Sequence, residues 1–140
     1  LSFEASRSLY ELYISGPKGY SKKLRDRIKE GLNISEIEYL EAKKTLNKLK
    51  PKLDLILSKF DGIVSPGTIG EAPLGLSFTG SREPTILWST FGNPAINIPL
   101  IEGSNGLPMG LQLTGAVKND EKLMKSALWV HKAWEHENIN

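Results

Sequence analysis

The sequence contains no cysteine. That removes disulfides, thiol nucleophiles and thiolate metal sites together, and it fits a cytoplasmic protein. Histidine is almost as scarce, with only His131 and His136, so any His-dependent triad would have to draw on those two. No stretch approaches the eighteen or so apolar residues that a bilayer crossing needs, so no membrane partner is expected. Residues 1–15 carry Glu4, Arg7 and Glu11 without an apolar run and do not read as a signal peptide. The chain begins at Leu1 rather than Met, which suggests a truncated or processed product.

What is present describes a globular chain. Of 140 residues, 39% are hydrophobic and 24% charged, enough for one ordinary domain or a part of a larger one. The formal net charge is +2. Basic residues gather in 18–29 and 43–52, but Asp26, Glu30, Glu36, Glu38 and Glu41 are interleaved with them. Mixed charge of this kind marks solvated helix faces, so nucleic acid is not expected as a partner.

The pattern changes near Phe60. Before it the periodicity is helical. Ala5, Leu9, Leu12 and Tyr13 predict a helix over 2–15, stopped by Gly16-Pro17. A second helix is expected over 22–30, with Ser21 as N-cap and Gly31 at its end. Ser35 and Glu38 form a capping box for a third helix, whose apolar stripe runs from Ile37 to Phe60. Pro51 lies inside that stripe, and a kink or break is expected near Lys50.

After Phe60, short strands are expected at 62–64, 95–98 and 111–114, with a long Gly-rich loop over 66–83. A structureless loop of that length is usually functional. Two helical turns are expected over 84–90, with Pro84 at their first position. A last helix opens at Asn119 or Asp120 with Leu123, Ala127, Val130 and Trp134 on one face. Three short strands leave edges and apolar faces in need of a partner, which suggests that the chain completes a larger sheet.

The common catalytic signatures are missing. There is no G-x-S-x-G elbow, no phosphate-binding G-x-x-x-x-G-K-[ST] and no G-x-G-x-x-G after a strand. His131 and Glu135 are four residues apart on a predicted helix, but a third metal ligand is not in view. Neither a metal nor a cofactor is expected.

Several ordered segments nevertheless resemble the C-terminal portion of the amidase signature family. They are Y-L-E-A at 39–42, F-D-G-I-V-S-P at 60–66, E-A-P at 71–73, W-S-T-F-G-N-P-A-I-N-I-P at 88–99 and G-L-P-M-G-L-Q-L at 106–113. The resemblance implies an α/β fold: the C-terminal part of an α/β/α architecture around a large mixed sheet. Helices occupy the first half (1–60) and strands and loops the second (61–140) of one segment of a single amidase domain. It also implies hydrolysis of linear carboxamides to carboxylate and ammonia or amine by a Ser-Ser-Lys triad.

In the family, that lysine and a G-S-S-rich loop precede this region. Ser2, Ser6 and Ser8 lack flanking glycines and Lys22-Lys23 fall on a polar helix, so no catalytic residue is assigned to this chain. The implied partners are an N-terminal portion bearing the triad and a small-molecule amide; a homo-oligomer is left open. The short helix before G-N-P-A lines the acyl side of the family's site, which maps to Arg82, Ile86 and Ser89 as substrate-binding residues. Arg82 would neutralise a substrate carboxylate and Ile86 form an apolar wall; the alternative puts Ile86 in the core and Arg82 on the surface. Members acting on tRNA-bound glutamine carry an acidic residue near position 82, and Arg82 argues against that subclass. A non-catalytic scaffold or interaction module that kept the fold is the competing reading of the whole chain.

Overall fold

The computed structural model describes residues 1–16 and 20–138. The expected stop at Pro17 lies outside them. The chain resolves into two compact units, Leu1–Leu49 and Lys50–Asn140.

The first unit is helical. The single helix expected over 2–15 is two, α1 (Ser2–Ser8) and α2 (Tyr10–Ile14), parted at Leu9 with φ −96° and ψ 0°. Serines work against a straight continuation here. The Ser6 hydroxyl bonds back to the Ser2 carbonyl at 2.5 Å, a substitute for helix bonding that bends helices. Helix α3 (Lys22–Leu32) starts as expected, the Ser21 hydroxyl accepting from the Leu24 N–H at 3.2 Å. It does not end at Gly31, which lies inside its last turn; Asn33 is the C-cap. Gly31 serves packing instead. A Cβ there would collide with the Ser2 carbonyl and the Ser6 side chain, so the missing side chain is what lets α1 and α3 touch. Arg7 adds a clamp, donating to the Gly31 and Ile34 carbonyls at 3.4 Å, where a cation suits the α3 C-terminus.

Helix α4 (Glu36–Leu57) opens with the capping box. The Ser35 N–H donates to Glu38 Oε2 at 2.8 Å and the Glu38 N–H to Ser35 Oγ at 3.2 Å. The helix runs through Pro51 without the expected break. The long segment before Pro51 sustains the helix across the one rung that proline cannot donate.

Within the first unit, Phe3 and Tyr39 stack with centroids 4.1 Å apart and planes 4° from parallel. Arg7 lies 3.3 Å from the Phe3 centroid on the outside of this stack. The Tyr39 hydroxyl donates to Glu4 Oε1 at 2.6 Å and accepts from Lys43 Nζ at 2.9 Å. That hydroxyl holds the Glu4 carboxyl below its ordinary 4.5, and the Ser35 hydroxyl and N–H do the same for Glu38. The Tyr39 hydroxyl also lifts Lys43 above its ordinary 10.5.

Linkage fixes the sign. The two carboxylates contribute stability above 4.5 that is lost as the pH falls through their lower folded values. Lys43 contributes below 10.5 and loses its share as the pH rises through its higher folded value. Melts followed by the Tyr39 ring resonances are expected to plateau between those limits and weaken on either side. Stabilisation on acidification past 4.5 would contradict this arrangement.

The second unit is α/β. After the end of α4, where Leu57 is fully buried, come β1 (Ile63–Pro66), α5 (Glu83–Phe91), β2 (Ala95–Glu102), β3 (Pro108–Thr114) and α6 (Asp120–Asn138). Among the described residues the sheet has three strands in the order β1-β3-β2, and both pairings are antiparallel. Strands β2 and β3 are longer than the sequence indicated, because Pro99, Pro108 and Gly110 lie within paired strand rather than beyond it.

Alternation divides the sheet into two faces. Ile98 and Leu113 point to α6, where they pack with Leu123 and Ala127, flanked by Ile96, Leu100, Leu111 and Val130. Each such burial contributes roughly 1.5–3 kcal/mol. Trp134, the fourth residue of the expected stripe, is 42% exposed. The opposite face presents Ser65, Gln112 and Asn97 side by side across the three strands.

Candidate functional site

The polar face of the sheet is organised by Gln112. It is buried, and its Nε2 donates to Ser65 Oγ at 3.3 Å and to the Pro84 carbonyl at 3.2 Å. A buried amide needs such partners. Here they tie the first turn of α5 to the sheet face opposite α6.

Helix α5 ends at Gly92, whose φ of 75° is the left-handed conformation that glycine adopts without strain. Asn93 follows. Its Nδ2 donates to the Gly115 carbonyl at 2.9 Å, while the Gly115 N–H donates to the Pro94 carbonyl at 3.0 Å. These two bonds pin the entry to β2 against the exit from β3. The orientation of α5 is thus held at both ends, by Gln112 and by Asn93.

That orientation decides where the three expected binding residues go. Pro84, Trp88 and Phe91 are the inner side of α5, with Trp88 9% exposed. Arg82, Ile86 and Ser89 precede these by two residues each, about 200° round the helix. They share the outer side, all three exposed, with Ile86 at 38%. Ile86 is not in the core. Arg82 caps the helix through its backbone, its carbonyl accepting from the Thr85 and Ile86 N–H groups at 3.1 and 3.0 Å.

The long loop over 67–82 has no regular structure, and two contacts seat it. The Gly67 N–H donates to the Gly110 carbonyl at 2.8 Å. Asn97 lies over both glycines, where a Cβ on either would strike its amide. Further along, Glu71 Oε1 accepts from the Asn105 N–H at 2.7 Å in the β2–β3 turn. The carboxylate rests against Gly103, another position with no room for a side chain. Between Glu71 and Arg82 the loop exposes Leu74, Leu76 and Phe78.

Sequence reasoning found the α5 face, and the amides of Asn97 and Gln112 between apolar strand residues called for hydrogen-bond partners, but which groups these anchors hold was not legible. Glu71, Asn97 and Gln112 lay inside the segments that carry the resemblance, yet their partners are 34, 13 and 28 residues away. His131 Nδ1 and Glu135 Oε1 lie 3.7 Å apart on α6. Among the described residues, no group of three His, Asp or Glu is placed to hold a metal. No helix among them is long and apolar enough to cross a membrane. On the outer side of α5 the described residues place a cation, an apolar side chain and a hydroxyl group in one row.

No protein-family model matches the chain. Curated relatives do. A glutamyl-tRNA(Gln) amidotransferase subunit of Wolinella succinogenes is 28% identical over 91% of this chain and 31% of its own length. Its namesake from Thermotoga maritima is 30% identical over 90% of this chain and 29% of its own. The chain thus spans about three-tenths of the length of these relatives. Among solved structures, one described as an amidase superposes with a TM-score of 0.78 at 26% identity, over 94% of this chain and 33% of that one. A vestigial complex bearing on the origins of an s-triazine catabolic enzyme gives 0.81 at 20% identity, over 94% of this chain and 32% of the other, a likeness of fold alone.

Proposed function

Because this chain corresponds to the C-terminal portion of amidase signature proteins, we propose that it is one segment of a single amidase domain that hydrolyses a linear carboxamide to carboxylate and ammonia or amine. The Ser-Ser-Lys triad belongs to an N-terminal portion, whose strands extend the three seen here into a large mixed sheet. This chain supplies a wall of the substrate pocket in a cytoplasmic enzyme that works without metal or cofactor.

The observation that carries the reading is the outward face of α5. Gln112 and Asn93 hold Arg82, Ile86 and Ser89 away from the core, free to meet a ligand. Arg82 pairs with a carboxylate on the substrate, Ile86 packs on its apolar part, and Ser89 offers a hydroxyl. The curated relatives' name points to a glutaminyl or glutamyl substrate, whereas Arg82 in place of an acidic residue points to a free acidic amide.

The test is complementation. The 140-residue chain alone is expected to hydrolyse no carboxamide, and to gain activity once joined to an N-terminal portion carrying Lys and a G-S-S loop. In the active form, Arg82→Gln should raise KM about tenfold or more for an amide bearing a carboxylate, the worth of a charge-assisted hydrogen bond. KM for a neutral amide of the same size should stay put. Equal effects on both amides would remove Arg82 from the pocket. Hydrolysis by the chain alone would overturn the placement of the chemistry, and a stable chain that no N-terminal portion activates would be a scaffold.

A further inference from the structure

Helix α6 covers the sheet with Leu123, Ala127 and Val130, yet its flank carries Trp129, 72% exposed. Trp129 and Val130 of α6, with Val64 of β1 and Leu113 of β3, line an open groove of about 540 Å³ beside the outer edge of β1. Val64 is itself 58% exposed. The rim is polar, with the Lys122–Asp61 ion pair at 2.9 Å and Lys125 held by Glu121 at 2.6 Å. An apolar floor with aromatic and aliphatic anchors inside a charged rim is the anatomy of a protein–protein contact.

The edge of β1 restricts what can lie there. Since the Gly67 N–H bonds to the Gly110 carbonyl, the register turns the N–H groups of Ile63 and Ser65 towards β3. Only Val64 presents an N–H outward, and Pro66, next in line, has none to present. A long strand ladder is blocked, so side-chain packing is what the groove offers.

The relatives supply the occupant. About two-thirds of each lies outside the match, while the chain itself superposes over 94% of its length on the amidase chain. We propose that the groove seats an apolar segment of that N-terminal portion, with Trp129 and Val64 as the anchoring contacts. This rests on the reading above that such a portion completes the protein.

The test compares the 140-residue chain with the continuous polypeptide encoded when the reading frame upstream of Leu1 is included, using hydroxyl-radical labelling of tryptophan. Labelling of Trp129 should fall about eightfold, from the level of a residue 72% exposed to that of Trp88 at 9%. Trp129→Ala and Val64→Asp should leave the melt of the isolated chain unchanged, because both side chains are exposed there. Each should weaken its association with a separately produced N-terminal portion by about 30-fold, as expected of an interface anchor.

If Trp129 labels equally in both proteins while the longer one hydrolyses amides, the groove assignment is wrong and the proposed function stands. Protection of Trp129 in a longer protein without hydrolysis supports the groove and counts against the proposed function. Protection in the isolated chain together with doubling of its mass assigns the groove to a second copy and overturns the proposal, as does an upstream frame that encodes no such portion.

Discussion

Replacing Leu123 by alanine is expected to destabilise the second unit by about 2–5 kcal/mol, the range for a buried leucine truncated in a core that relaxes only in part. Leu123 is 3% exposed and is the first residue of α6 to face the sheet. It settles into a notch formed by Gly62, before β1, and Gly115, after β3. Those two glycines have no side chain with which to fill the space that would open. Neighbouring backbone is held by the sheet register and by the Asn93–Gly115 bond, so collapse into the void is restricted. With total stabilities of small units near 5–15 kcal/mol, such a loss removes a large part of the margin. Urea unfolding followed by near-ultraviolet signals checks it. A change below about 1 kcal/mol would mean that the notch closes easily and that α6 is held by other contacts.

The second large effect is expected at Gly31, where alanine should destabilise the first unit even though alanine is the better helix former. Propensity favours the substitution by about 1 kcal/mol. Steric overlap opposes it. The added methyl meets the Ser2 backbone carbonyl, which cannot rotate away, and the Ser6 side chain, which is already bonded to that carbonyl. Overpacking of this kind costs typically 1–3 kcal/mol, so a net loss is expected. Relief requires α1 to move off α3, which also breaks the Arg7 bonds to the Gly31 and Ile34 carbonyls. Leu32→Ala, one residue along on a half-buried position, serves as a reference for ordinary truncation. The idea fails if Gly31→Ala raises the melting temperature, since propensity would then have won over contact.

Features set by neighbours in sequence were legible without coordinates. The Ser35–Glu38 box, the Ser21 cap and the Leu123, Ala127, Val130 stripe depend on spacings of three or four residues, and each appears in the structure. The shared side of Arg82, Ile86 and Ser89 follows from helical periodicity. That this side faces outward depends on Trp88 and Pro84 facing in, which needed the fold. What escaped were effects of partners far along the chain. Gly31 read as a helix end because glycine often is one; its use as a crossing point depends on α1. Pro99 and Gly110 read as strand limits, though a proline is tolerated on an edge strand and the glycine has Asn97 lying over it. The anchors of the loop over 67–82 are equally non-local, since Glu71 is paired with a turn more than thirty residues later.

The strand order β1-β3-β2 places the last strand in the middle, and this sets a timetable during synthesis. Strands β2 and β3 are joined by a short turn and can zip together within microseconds of emerging. β1 must wait for β3, roughly 40 residues behind it, which at about 5–20 residues per second leaves it single for some 2–8 s. Throughout that interval one of its two outward positions is Pro66, unable to donate to a stray chain. The edge turned to β3 keeps its Ile63 and Ser65 donors open for the same interval, so the waiting strand is guarded on its outer side alone.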